Sequence, residues 1–414
     1  MLNIFKIAAR NLWRYWRRTM LTAGLITIGV GAVILFLALA GSFKNLMVGQ
    51  ITDSYLGHLQ IHKRGYVAAI ETLPLNLNLT EAEAKQVDDT LTRNDGVLAS
   101  SPRVKFGAML SNFAETTNIR VNGIDPAREL ATSPELPKRV VGGPGDRFLA
   151  RGEIQLPELL AQGMKIVVGD TIVLVATNRD GSVNGRPMLV RGILSGVTGP
   201  GGRDGYVHID DARELFRMAE AEVSEFAVRA RELGRVDEIV AGLDGVLGAT
   251  RAEDGRKAFE VHGWERLSPF SSIANMVDLM TLFIKVLLVS IVLIAVMNVM
   301  IMAVYERIRE IGTISAIGTP PSRILALFVT EGLLLGIVGS AIGTAVSLAL
   351  VAVLNVNKIA FTFGQGQKLL LAPEVAPLDI AAIAGIVIVI AALASLQPAW
   401  KAARMDPIQA LRHV

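Results

Sequence analysis

Four stretches of this chain are too long and too apolar for an ordinary water-soluble fold: residues 20–40, 279–303, 324–354 and 378–396. About 20 residues, rising 1.5 Å each, cross a bilayer's hydrocarbon core. Of the 414 residues, 51% are hydrophobic and 19% charged. That is only modestly more apolar than a soluble domain, so the excess is concentrated in the four runs. Between the first and second lies a polar stretch of roughly 230 residues, enough for one or two domains. The expected fold class is an α-helical membrane protein with four transmembrane helices plus a large α+β extracytoplasmic domain between spans one and two.

Short cytoplasmic segments retain Lys and Arg. Lys6, Arg10, Arg14, Arg17 and Arg18 precede the first run, Arg307, Arg309 and Arg323 separate the second from the third, and Lys401, Arg404 and Arg412 follow the fourth. These segments hold eleven basic residues against three acids, Glu306, Glu310 and Asp406, whereas only Lys358 and Lys368 lie between runs three and four. Both termini are therefore expected in the cytoplasm of a multi-pass membrane protein. The polar stretch 42–278, with 27 basic and 32 acidic residues, is expected outside. The basic face suits an anionic inner leaflet, not nucleic acid.

The expected boundaries are a cytoplasmic N-terminal amphipathic segment (1–19), transmembrane helix 1 (20–41), the periplasmic domain (42–275) and transmembrane helix 2 (276–303). A cytoplasmic helix (304–321), transmembrane helix 3 (322–354), a short periplasmic loop (355–377), transmembrane helix 4 (378–397) and a cytoplasmic tail (398–414) follow. Residues 1–40 share a basic start and an Ala38-Leu39-Ala40 site with signal peptides. Their apolar run of about 20 exceeds the 7–15 of a signal core, so the span is expected to be retained.

Within the polar stretch, alternation predicts strands at Gly57–His62, Ile119–Val121 and Met188–Ile193, and a strand pair over Lys165–Thr177 turning at Gly169-Asp170. Thr80 and Glu83 have capping-box spacing for a helix to about Arg93. Asp210 is expected to cap a helix to about Ala219, and a strand and helix to span Glu225 to Leu243. His58, His62, His208 and His262 match no zinc spacing, and Gly199–Gly205 lacks the lysine ending of a phosphate loop, so it reads as a flexible loop. The absence of cysteine excludes thiolate chemistry. No catalytic or metal site is expected.

Gly332, Gly336, Gly339 and Gly343 fall on one face of the third run as two GxxxG pairs, a helix-packing seam. Lys285 and Glu331 are intramembrane charges at opposite ends of neighbouring spans, each near enough to an interface to snorkel. Val304, Ile308, Ile311, Ile314 and Ile317 recur at helical steps, with Thr319-Pro320-Pro321 as the stop. A short rigid helix between two spans suits transmission of force from a partner.

The segment YERIREIGTISAIGTPPSRI, continued by LFVTEGLLLGIVGSAIG, is similar to the signature region of FtsX-like permeases, the mechanotransmission class of ABC transporter membrane subunits. The ending Gln397-Pro398-Ala399-Trp400 to Arg404-Met405-Asp406-Pro407 and Ala410-Leu411-Arg412 resembles that family's closing segment, and VVGDTIVL and VNGIDP resemble parts of its outer domain. The resemblance implies a non-catalytic permease, paired with a second permease copy as homodimer or heterodimer and seated on a separate ABC ATPase subunit. That partner binds ATP and Mg; this chain carries no cofactor. Tyr305, Glu306, Arg307, Arg309, Glu310, Ile311, Gly312 and Ile314 would couple to the ATPase, and Arg404, Asp406 and Pro407 would flank the contact. Within the family, the unfused layout is most similar to lipoprotein-releasing permeases, which extract lipoproteins for a periplasmic carrier. A macrolide-exporter-like efflux or peptide-export permease with an adaptor, and a non-transporting regulator of periplasmic enzymes, are the alternatives.

Overall fold

The computed structural model describes residues 2–178, 180–196, 203–252, 255–268, 271–357, 360–363, 367–370 and 372–412. They form two units: one comprises 46–274 with 362–368, the other 1–45, 275–361 and 369–414.

The first unit is built on ten strands: β1 (Leu59–Lys63), β2 (Val97–Ser111), β3 (Thr116–Ile124), β4 (Val140–Gly142), β5 (Glu153–Pro157), β6 (Thr171–Thr177), β7 (Val183–Leu194), β8 (Gly205–His208), β9 (Glu225–Ala230) and β10 (Phe259–Gly263). Their order is β10-β1-β9-β2-β3-β8-β5-β7-β4, with β6 pairing to both β2 and β7. β2 organises the sheet because its length lets it serve three neighbours: β9 along its first half, β3 along its second and β6 at its end. Val104, Phe106, Ala108 and Leu110 alternate into the core, as period-2 geometry requires. Beside them pack Ala84, Val87 and Leu91 of helix Glu81–Thr92. Its capping box is present, the Thr80 hydroxyl accepting from the Glu83 amide while Glu83 accepts from the Thr80 amide.

β3 and β7 cover the expected strands at Ile119–Val121 and Met188–Ile193, and β1 covers the expected Gly57–His62 only from Leu59, since Gly57 is at φ 79° after the π turn. Lys165–Gly169 forms a turn, not a strand, and only β6 follows; Lys165 itself adopts a positive φ of 55°. His208, not Asp210, caps the helix Ile209–Leu215, its Nδ1 accepting from the Asp210 amide at 3.3 Å. That helix closes before Arg217, which is left-handed at φ 52°, so it stops short of Ala219. Gly199–Gly202 lies outside the described residues, but the adjoining Asp204 is buried, accepting from Asn122 Nδ2 at 3.2 Å, so this end of the glycine-rich segment is anchored. Gly123 in β3 has a packing reason: a Cβ there would lie 2.6 Å from the Ala212 side chain of the overlying helix.

An ion cluster lies inside this unit. Arg103 of β2 makes a two-pronged contact to Glu129 at 2.9 and 2.6 Å and reaches Glu225 of β9 at 3.2 Å. Lys105 and His62 also meet the Glu225 carboxylate, at 3.0 and 3.2 Å. Burial by itself would raise the Glu225 pKa. Lys105, His62 and Arg103 overcome it and hold the carboxyl well below its usual range. A depressed carboxyl pKa contributes stability above the ordinary glutamate pKa of about 4.3, and acid removes it. Glu225→Gln should therefore cost about 3 kcal/mol or more at neutral pH, by leaving buried cations unmatched. It should also flatten the acid limb of the stability profile, measured by thermal unfolding in detergent across pH 3–7.

Four helices are long and apolar enough to cross a membrane: Trp16–Leu56 including its closing π turn, Ser271–Glu306, Pro321–Asn357 and Pro377–Ala403; the second unit holds all of them but 46–56 of the first and 271–274 of the second. Thirty-six residues extend about 54 Å, well beyond a hydrocarbon core of about 30 Å. The fourth runs through Pro398 to Ala403 instead of ending at 397, since proline in a long apolar helix forfeits one backbone bond without stopping it. Between the third and fourth lies a hairpin of β11 (Ala360–Phe363) and β12 (Gln367–Leu370). Lys358 falls outside the described residues.

The glycine face of the third helix divides its contacts. A Cβ on Gly332 or Gly336 would sit 2.6 Å from Ser395 or 2.8 Å from Ala391 of the fourth helix. On Gly339 or Gly343 it would sit 2.6 Å from Ile26 or 2.8 Å from Val30 of the first. On Gly29 it would fall inside the Val292 side chain, bringing the first helix against the second. Gly343→Val should cost about 1–3 kcal/mol by overpacking, read as a lower melting temperature in detergent.

Candidate functional site

Two single residues interrupt the helices of the second unit. Tyr15 separates the amphipathic helix Leu2–Arg14 from the first long helix. Arg307, at φ −110° and ψ 19°, separates the second long helix from the short helix Ile308–Ala316. The two interruptions meet: the Arg307 guanidinium lies 4.0 Å from the centre of the Tyr15 ring. This is cation–π range, and the planar guanidinium suits stacking.

Beneath them is Glu331, in the third long helix. Arg307 Nη1 donates to Glu331 Oε1 at 3.0 Å, and Asn11 Nδ2 of the N-terminal helix donates to the same oxygen at 2.9 Å. The side chains of Arg307 and Glu331 are only 7% and 3% exposed. Tyr15 donates its hydroxyl to Glu310 at 3.0 Å, while Arg18 reaches Glu306 at 3.5 Å and the Val299 carbonyl at 3.3 Å. Five helices thus contribute to the polar contacts at one end of the bundle. The arrangement ties the short helix to the helices around it.

Among the residues expected to couple, Arg307, Ile311 and Gly312 point inward, and Ile311 belongs to the bundle core with Val304, Ile324 and Phe328. Tyr305, Glu306, Arg309, Glu310 and Ile314 are on the surface. Ile317, at the end of the apolar stripe, is 80% exposed. The short helix thus presents a surface set while its inward set is bound to the bundle. The snorkelling expectation fails for Glu331: its partner is Arg307, at a helix break and not on a neighbouring span. Helical periodicity conceals that pairing because it assumes the helix continues through Arg307.

The tail helix Pro407–Arg412 packs beside Ile308–Ala316. Asp406 accepts from the Ile408 amide at 3.0 Å, Pro407 occupies the first helical position, and exposed Arg404 stacks over Trp400 at 4.3 Å. At the other end of the bundle a cavity of about 580 Å³ lies among the first, second and fourth helices. Leu37, Ala40 and Val375 supply apolar wall; Lys285 and the Lys44–Asp278 pair, at 2.5 Å, supply charge.

The four described histidines are engaged singly. His58 Nδ1 accepts from the Ala230 amide at 3.1 Å, His62 faces Glu225, His208 caps a helix and His262 lies 3.5 Å from Glu260. Among the described residues no group of three or more His, Asp or Glu is placed to hold a metal.

Arg307→Ala would strand Glu331 in the interior and should cost about 3–5 kcal/mol. Arg307→Met combined with Glu331→Leu should cost less than Arg307→Ala alone, by about 1 kcal/mol or more. Thermal unfolding of the parent and the two variants in the same detergent measures the difference.

Comparison with known proteins gives two family matches: the MacB-like periplasmic core domain over residues 19–246 and the FtsX-like permease C-terminal region over residues 282–407. The chain is 26% identical over 423 residues to the pyoverdine export ATP-binding/permease protein PvdT of Pseudomonas putida, covering 99% of this chain but 60% of that relative. It is 25% identical over 416 residues to the lipoprotein-releasing system transmembrane protein LolC of Neisseria meningitidis serogroup B, covering 95% of this chain and 94% of that one. It is 28% identical over 422 residues to the macrolide export ATP-binding/permease protein MacB of Rhodospirillum rubrum, covering 98% of this chain and 59% of the relative.

Proposed function

The chain belongs to the FtsX-like permeases of ABC transporters that carry a MacB-like periplasmic core domain, and we propose that it converts the motion of a separate ABC ATPase subunit into extraction of lipoproteins from the inner membrane. The observation that carries the coupling role is the Arg307 junction. A helix that starts at the buried Arg307, is held on one side by Ile311 and Gly312, and is solvent-exposed on the other at Arg309 and Ile314 is suited to receive a push and pass it to the long helices. The four long helices are its membrane spans, with both termini and the short helix in the cytoplasm and the β-rich unit in the periplasm. The tail around Arg404, Asp406 and Pro407 flanks the ATPase contact. ATP and Mg bind the ATPase, and a second permease copy completes the assembly.

Lipoprotein is the proposed cargo because the outer cavity joins apolar wall to Lys285 and the Lys44–Asp278 pair. An acylated polypeptide carries both characters. The likeness to the pyoverdine and macrolide export proteins supports an alternative, export through an adaptor and an outer channel.

Affinity purification from mildly solubilised native membranes, followed by mass spectrometry, tests both levels. An ATPase with acylated lipoproteins is the expected result; an ATPase with an adaptor and channel moves the cargo to the alternative. Capture of no ATPase, after cross-linking from a cysteine at Ile314, overturns the coupling role. Ile314→Asp should weaken ATPase association about tenfold or more, as loss of an apolar anchor worth about 2 kcal/mol does, while leaving the melting temperature unchanged.

A further inference from the structure

A second cavity, of about 470 Å³, lies at the junction end of the bundle, among the N-terminal helix, the short helix Ile308–Ala316 and the start of the third long helix. Ile7, Ile314, Leu327 and Phe328 give it an apolar interior. Polar groups gather at one side: Arg323, Thr319, Glu310 and Arg307. Arg323 is exposed and meets no acidic side chain among the described residues. Arg307 is buried, donates to Glu331 through Nη1, and has an Nε without a hydrogen-bond partner. Arg307 lines the same cavity.

We propose that this groove holds one phospholipid of the cytoplasmic leaflet, with its phosphate between Arg323 and Thr319 and an acyl chain along Ile7, Leu327 and Phe328. The proposal rests on the membrane orientation given above. Arginine matches phosphate through paired donors, and this groove combines cation and apolar length, as a lipid does. The wall contributed by Leu2–Arg14 is an amphipathic helix carrying Lys6 and Arg10, a pattern that lies in the headgroup zone of an anionic leaflet. A free phosphate would leave the apolar walls unfilled. Glu310 on the same rim, already accepting from Tyr15, favours a headgroup bearing an ammonium, so phosphatidylethanolamine is preferred to phosphatidylglycerol.

The test is native mass spectrometry of the full-length protein, stripped with detergent and then titrated with phosphatidylethanolamine, phosphatidylglycerol or inorganic phosphate. The expected result is one retained phosphatidylethanolamine per chain, with occupancy reduced about tenfold in Arg323→Ala and in Leu327→Trp. Arg323 lies at the surface, so its variant keeps the fold, and a melting temperature recorded on each variant separates site loss from unfolding. Equal occupancy in both variants and the parent overturns the site. Displacement of lipid by inorganic phosphate alone makes it an anion site and overturns the lipid. Preference for phosphatidylglycerol overturns the role given to Glu310. ATPase capture is scored on the same preparations: lipid retained without ATPase sinks the coupling role and leaves this site standing, and ATPase captured without lipid does the reverse.

Discussion

The helical unit depends on one contact, the stacking of Arg307 on Tyr15 above Glu331. Each aromatic or cationic partner sits where a helix has been broken, so the contact fixes two changes of direction at once. Neither break would hold its angle alone, since a single non-helical residue has several allowed conformations. Burial makes the fixing strict: a carboxylate that is 3% exposed needs its donors, and Arg307 and Asn11 supply them from two elements far apart in sequence. Lysine in place of Arg307 would keep the charge and lose both the stack and the planar fork.

The glycine face supports that junction from below. Tight seams hold the third helix to the fourth through Gly332 and Gly336, and to the first through Gly339 and Gly343, so Glu331 is presented from a helix with little freedom to roll. The three helices share a core of Ile26, Val30, Phe328, Leu335 and Val387, in which Ile311 of the short helix also takes part. Displacing the short helix therefore requires moving core, not only surface.

Much of this was legible in the sequence because it is periodic. Apolar length marks the four long helices, a step of four marks the glycine seam, and Thr80 with Glu83 marks a helix start. What periodicity does not mark was missed. The pairing of Arg307 with Glu331 spans 24 positions and depends on a helix break that the apolar stripe runs straight through. The cluster of Arg103, Lys105, His62, Glu129 and Glu225 draws on distant segments, and only the sheet order brings β1, β2 and β9 together. β2 and β5 escaped because their polar residues turn inward, which breaks the expected alternation. Lys165 looked like a strand residue by composition and is a turn by its positive φ.

The contact of Gly29 with Val292 divides the first helix unequally. Thirteen helical steps separate it from the helix start at Trp16 and 22 from the end at Ile51, lengths of about 20 and about 33 Å. Gly29 falls in sequence between Ile26 and Val30, which meet the third helix, so one added carbon there would strain three helices at once.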